Sequence, residues 1–331
     1  MMSTDYSELE NRGLRVQQTP FGSSLTIDTE LTSEIARAAA RCRIEYLVMK
    51  YRSEGLENVR QIDSLRAMNL ILDKVEDLSF LEEWTPLETL FLRVEDGQRV
   101  NLAKLSQLTY LDLENYGPEV TGVFENKRII QFSHSYGDDS ILDQIATTDS
   151  VESLFLVAPK LTDLSPLRKV TSLKSLQMQN MRKLECLAPL GELSGLKSLI
   201  VQVMKGASEF SFLRGLEQLQ VLTLSSIEQR SPTEHLGGCK NLVRFQFLTK
   251  TTKGLSLVPA PLEALADLPE LTHIDMIGSW LIPSLRPLTE CPKLSSARIY
   301  GPRSCLIDFD SLDLLKRSTV RASEMGLKPF S

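Results

Sequence analysis

One spacing, apolar-x-x-apolar-x-apolar, recurs along this chain with a period near 22 residues. It stands at Ile44, Leu47 and Met49, then Leu65, Met68 and Leu70, and then at Leu87, Leu90 and Leu92. Leu108, Leu111 and Leu113 follow, with a degenerate copy read at Lys127, Ile130 and Phe132. Regular copies resume at Val151, Leu173, Leu196, Leu219, Leu242, Leu271 and Leu294, and a weaker one opens the series at Gly22. Successive starts lie 22, 21, 22, 21, 19, 24, 22, 23, 23, 23, 29 and 23 residues apart. Each copy is one strand whose alternate side chains face one way. A unit of this size cannot bury that face alone, so neighbours must stack, and the chain must be a solenoid.

After each strand comes a return segment with leucines every third position. Leu161, Leu164 and Leu167 show it, as do Val75, Leu78, Leu81 and Trp84. Strand and return together resemble leucine-rich repeat proteins of the short-repeat class, that of the internalins and the protein-phosphatase regulatory subunits. The resemblance spans roughly residues 22–300. It implies a curved α/β solenoid, with a parallel concave β-sheet and short helical or 3₁₀ turns on the convex side. The predicted organisation is an N-terminal segment, first edge strand and capping helix over 1–43, the repeat array over 44–301, and a C-terminal cap and tail over 302–331. Asp28 or Thr29 is expected to cap a helix running to about Arg41, with Leu31, Ile35, Ala38, Ala39 and Cys42 on its apolar face. Asp308 or Asp310 is expected to cap a helix over 311–316, with a last edge strand near Val320 and Ala322.

The sequence departs from that family in one respect. Its asparagine ladder, three residues after the last strand leucine, is absent: Asp73, Glu95, Tyr116, Pro159, Met181, Met204, Ile227, Lys250, Ser279 and Pro302 occupy the slots. Loop backbone groups there must find other partners. Two stretches break the period: 114–150, which includes the degenerate strand, and the insertion at 249–261.

The net charge of −6 argues against a general nucleic-acid binder and favours basic partners. No apolar run is long enough to span a membrane. No secretory signal is visible, and the five cysteines show no metal or disulfide spacing, so a cytoplasmic location is expected. Cys239 and Cys291 fill a core slot three residues before a strand start. There are three histidines, His134, His235 and His273; a neighbouring pair such as His273 and Asp275 could orient an imidazole, but no nucleophile follows from the spacing. Phosphate-loop and hydrolase motifs are missing. The chain therefore reads as a non-enzyme, with no cofactor, metal or small-molecule substrate.

Residues between the template leucines line the concave face. Ile129, Gln131 and Ser133 are placed there from the degenerate strand. Phe91, Tyr110 and Phe155 with Arg93 make an aromatic patch, flanked by Asp112 and Glu114. Aromatics and arginine dominate binding hot spots. A second cluster joins Arg244, His273, Asp275, Arg298 and Tyr300. Thirteen strands about 4.8 Å apart give a face of roughly 1,000 Å2, against the roughly 800 Å2 per partner of a standard interface. The expected function is recognition of a protein partner, as an adaptor, regulator or immunity-like inhibitor. The alternative is a structural or accessory module of a larger assembly.

Overall fold

In the computed structural model, the described residues are 5–50, 55–72, 78–84, 86–93, 99–114, 120–135, 140–202, 209–225, 231–249, 257–301, 304–316 and 327–329. They form two compact units, Met1–Tyr136 and Gly137–Ser331. The boundary falls inside the irregular stretch 114–150.

The first unit begins with helix α1 (Ser7–Glu10), then strands β1 (Arg15–Thr19) and β2 (Gly22–Ile27), and helix α2 (Ser33–Arg41). Strands β3 (Tyr46–Lys50), β4 (Ala67–Ile71), β5 (Thr89–Arg93), β6 (Val100–Asn101), β7 (Tyr110–Glu114), β8 (Val120–Thr121) and β9 (Gln131–Ser135) complete it. From β2 through β3, β4, β5 and β7 to β9 every pairing is parallel. The start of the array differs from expectation. Strand β2 is not the edge, because β1 pairs with it antiparallel through a tight hairpin. Gly22 holds φ at +96° in that hairpin, and a Cβ there would strike the Glu45 side chain. The helix also starts later than expected: Thr32, not Asp28 or Thr29, is the N-cap of α2 and accepts from Ile35 N at 3.3 Å. Leu31, Ala38, Ala39 and Cys42 are buried as expected, while Ile35 is only half-buried.

The degenerate strand is read two residues out of frame by the sequence. Strand β9 sets Phe132 opposite Leu111 and His134 opposite Leu113. The template copy is therefore Ile129, Phe132 and His134, and all three are buried. Ile129, expected on the outward face, lies in the core, and Ile130 is exposed instead. With that frame the awkward offsets of 19 and 24 become 21 and 22. Within the strand itself a slip of two keeps the alternation of faces, so Gln131 and Ser133 still stand in the outward rows with Tyr110 and Asp112.

The second unit contains helix α3 (Ser140–Ile145) and strands β10 (Ser153–Val157), β11 (Ser175–Gln179), β12 (Ser198–Gln202), β13 (Val221–Ser225) and β14 (Arg244–Leu248). After these come β15 (Val258–Pro259), β16 (His273–Ile277), β17 (Trp280–Ile282), helix α4 (Arg286–Thr289), β18 (Ser296–Tyr300), β19 (Cys305–Leu306), helix α5 (Ser311–Lys316) and β20 (Lys328–Pro329). The strands from β10 to β14, then β16 and β18, pair parallel and in register. Leu154, Leu176, Leu199 and Leu222 consequently stack in one buried column.

The returns between strands are mostly 3₁₀ turns. In the one at Ser165–Lys169, Asp163 Oδ1 accepts from Ser165 N at 2.8 Å and Pro166 fixes the first turn. Leu161, Leu164 and Leu167 point inward from it.

The second unit also has a small parallel sheet, β15-β17-β19-β20, that periodicity did not signal. Part of the 249–261 insertion supplies its strand β15; positions 250–256 lie outside the described residues. Trp280 of β17 is fully buried and packs on Phe247 at 5.0 Å between ring centroids. Here Ser304 does the work of the missing asparagine. Its hydroxyl donates to Gly278 O at 3.0 Å and accepts from Trp280 N at 3.1 Å. Helix α5 begins at Ser311 as expected, while the edge strand expected near Val320 and Ala322 lies outside the described residues.

Cys239 and Cys291 are buried, with sulfurs near Leu213 O (3.2 Å) and Leu265 O (3.3 Å). All five cysteines are free thiols. No described helix is long and apolar enough to cross a membrane.

Candidate functional site

The outward face of the first unit is built from strand residues that alternate with the buried leucines. Parallel register sets Tyr46, Ala67, Thr89, Tyr110 and Gln131 in one row. Val48, Asn69, Phe91, Asp112 and Ser133 form the next. Ala67 and Thr89 face outward yet are buried. Being small, they leave space that the rings around them cover.

Those rings form a contiguous cluster of four. Phe91 lies 5.1 Å from Tyr110 and 6.3 Å from Tyr46. Phe21, from the hairpin turn, meets Tyr46 edge-on at 5.4 Å and Phe91 at 5.8 Å. Such separations are those of favourable aromatic pairs. The rings therefore hold one another in place while keeping one surface open, and Phe21 is 39% exposed. Burial raises the phenols of Tyr46 and Tyr110 above the ordinary tyrosine value.

Carboxylates surround the rings. Burial and the neighbouring Glu114 push the Asp112 carboxyl above the usual range, against a lowering influence of the nearby Ser133 hydroxyl. Glu114 and Arg93 face each other at 4.0 Å, both exposed, a pairing worth little. A cleft of about 370 Å3 beside Phe21 is lined by Glu45, Arg66 and Glu88 as well as Ala67 and Thr89. Together these residues bring four carboxylates and two guanidiniums to the patch.

The sequence-predicted patch is thus assembled in part. Phe91, Arg93, Tyr110, Asp112 and Glu114 are neighbours on β5 and β7. Phe155 stands in the second unit, in a row with Gln177, Ile200 and Thr223, and the four-ring cluster is built without it. Tyr46 and Phe21 belong to the cluster and were missed. Tyr46 holds the first outward position of its strand, the same slot as Tyr110, and that equivalence was visible. Phe21 sits in a turn outside the template, so the repeat could not place it.

On the second unit, Arg244, His273 and Ser296 form one outward row, and Gln246, Asp275 and Arg298 the next. A third row joins Leu248, Ile277 and Tyr300, the last 48% exposed. Asp275 is held by Arg298 Nε at 2.8 Å, by the same guanidinium's Nη2, and by Gln246 Nε2 at 3.1 Å. His273 is engaged by the Thr272 hydroxyl at 2.7 Å. The carboxylate is therefore committed to arginine rather than to the imidazole.

No protein-family profile and no curated protein sequence matches the chain. Among solved structures, an internalin (inlF) from Listeria monocytogenes covers 84% of this chain and 86% of its own length, at 18% identity and a TM-score of 0.54. An internalin C2 (inlC2) from the same organism covers 66% and 84%, at 22% identity and a TM-score of 0.34. At these identities the likeness speaks to fold alone, and only the first alignment is close enough to support it.

Proposed function

We propose that this chain, which has the leucine-rich repeat solenoid fold, is a protein-recognition scaffold that holds a basic partner protein against the outward face of its first unit. The observation that carries the reading is the cluster of Phe21, Tyr46, Phe91 and Tyr110. A monomeric protein exposes scattered apolar side chains freely, but a contiguous aromatic patch on a rigid sheet calls for an occupant. The rings cannot turn inward, because a one-residue slip would expose the leucines. They are already ordered, so a partner loses little entropy in using them. Asp112, Glu114, Glu45 and Glu88 supply charge for lysine or arginine, and burying Asp112 beside a cation relieves the penalty that raises its pKa. An adaptor, regulator or inhibitor acting in a reducing compartment fits this surface, and five free thiols support that setting.

The test is a paired affinity capture from a lysate of the source cells, with wild type, Phe91→Ala and Gln177→Ala as baits. The expected result is a stoichiometric basic protein retained by wild type and Gln177→Ala and lost by Phe91→Ala. Retention by all three baits would refute the location.

A further inference from the structure

The geometry points to a second recognition site, on the second unit, that takes an acidic side chain of an extended protein segment. The cleft lies on strands β14, β16 and β18. It has a volume of about 330 Å3 and is lined by Arg244, Gln246, His273, Asp275, Ser296 and Arg298, among others. Its floor is preorganised. Thr223 donates to Gln246 at 3.4 Å, Gln246 donates to Asp275, and Asp275 grips Arg298, a chain running across four neighbouring strands. The Arg298 charge is spent on Asp275, and the Gln246 amide is fixed.

Arg244 is different. It is exposed, it heads the neighbouring row, and it carries no ion pair among the described residues. With two guanidiniums, one carboxylate and histidine counted as neutral at pH 7, the cleft has a formal excess of one positive charge. One monoanion balances that excess. A dianionic phosphate would overshoot it and face Asp275, so the charge count selects a carboxylate.

The third row extends the reading. Leu248, Ile277 and Tyr300 offer an apolar strip on the same face, four residues along the strands from the Arg244 row. Four residues of strand span about 13 Å. An extended segment running alongside would therefore place an apolar side chain four positions from its acidic one. This site shares no residue with the aromatic patch, so either can fail without the other.

The experiment uses the full chain and three blocked pentapeptides, X-Thr-Ser-Thr-Phe, with X as Glu, Gln or phosphoserine. Arginine side-chain NMR signals follow binding. The Glu peptide should shift the Arg244 signal saturably. Binding should weaken at least about tenfold for the Gln peptide and for Arg244→Gln, the loss expected of a charge-assisted hydrogen bond. Tyr300→Ala should weaken the Glu peptide too. Circular dichroism confirms that each variant folds. No saturable shift up to about 10 mM peptide, equal binding of the Gln peptide, or tightest binding of the phosphoserine peptide would overturn the assignment.

Discussion

The two units turn the same kind of face inward and very different faces outward. In the first, the outward rows and the hairpin turn bring four rings and several carboxylates together around small, buried Ala67 and Thr89. In the second, the corresponding rows over β11–β13 are chiefly amides and hydroxyls: Ser175, Gln177, Gln179, Ser198, Gln202, Thr223 and Ser225. Beyond them lies the charged cleft of β14, β16 and β18. The inward rows hardly change, since each strand must supply apolar side chains to a shared column. The repeat constrains one face of every strand and leaves the other free, so the differences between units are where recognition can reside.

That contrast can be broken most sharply on a single strand. Leu199 and Ile200 are adjacent on β12 and face opposite ways. Leu199→Ala should cost about 2–5 kcal/mol, the transfer term plus the cavity left in a fully buried column. Ile200→Ala should cost about 1 kcal/mol or less, since only half-buried surface is lost. Urea unfolding of both variants measures this, and equal losses would show that the two faces are not distinct.

Thiol labelling sharpens the same division between inside and outside. Burial pushes Cys239 up to about 12 and, with Glu290, Cys291 up to about 11. Both thiols are therefore protonated and shielded near neutral pH. Cys186, which is exposed, should react first with an aromatic disulfide reagent, and the two buried thiols only as the chain opens. Rapid reaction of all three in the native protein would contradict the packing.

The smallest expected effect concerns Asp112. Its folded pKa is raised, so the folded chain holds that proton more tightly than the unfolded one. Its favourable contribution is present below the ordinary carboxylate range and is lost as pH rises through the raised value. Asp112→Asn should therefore lift the Tm slightly at neutral pH, and the gain should vanish in acid. The same change should weaken a basic partner. A lower Tm at neutral pH would mean that the carboxylate is held by something other than an awaited cation.

The repeat makes the strands, their parallel order and the buried leucines legible in the sequence, because a fixed spacing is the physical requirement for stacking. It also exposed its own one frame error. Reading β9 at Lys127 produced offsets of 19 and 24, whereas Ile129 gives 21 and 22; the apolar appearance of Ile130 outweighed the period. His134 concealed the correct frame by filling a leucine slot with a polar ring. Features outside the period could not be read in this way. Phe21 reaches the aromatic cluster through a hairpin turn, Thr32 caps a helix four residues later than Asp28 would, and β15, β17, β19 and β20 pair through backbone groups that carry no side-chain pattern. Phe155 matched its companions in type and face, but sequence spacing alone could not decide its neighbours.

Partner affinity at the aromatic patch is the property on which the recognition role rests most directly. Calorimetric titration of the captured partner into Phe91→Ala and Gln177→Ala, each checked for folding, decides it. The prediction is a loss of at least about 1–2 kcal/mol for Phe91→Ala and none for Gln177→Ala. Unchanged affinity in both variants, or a loss only when the 249–261 insertion is altered, would contradict it.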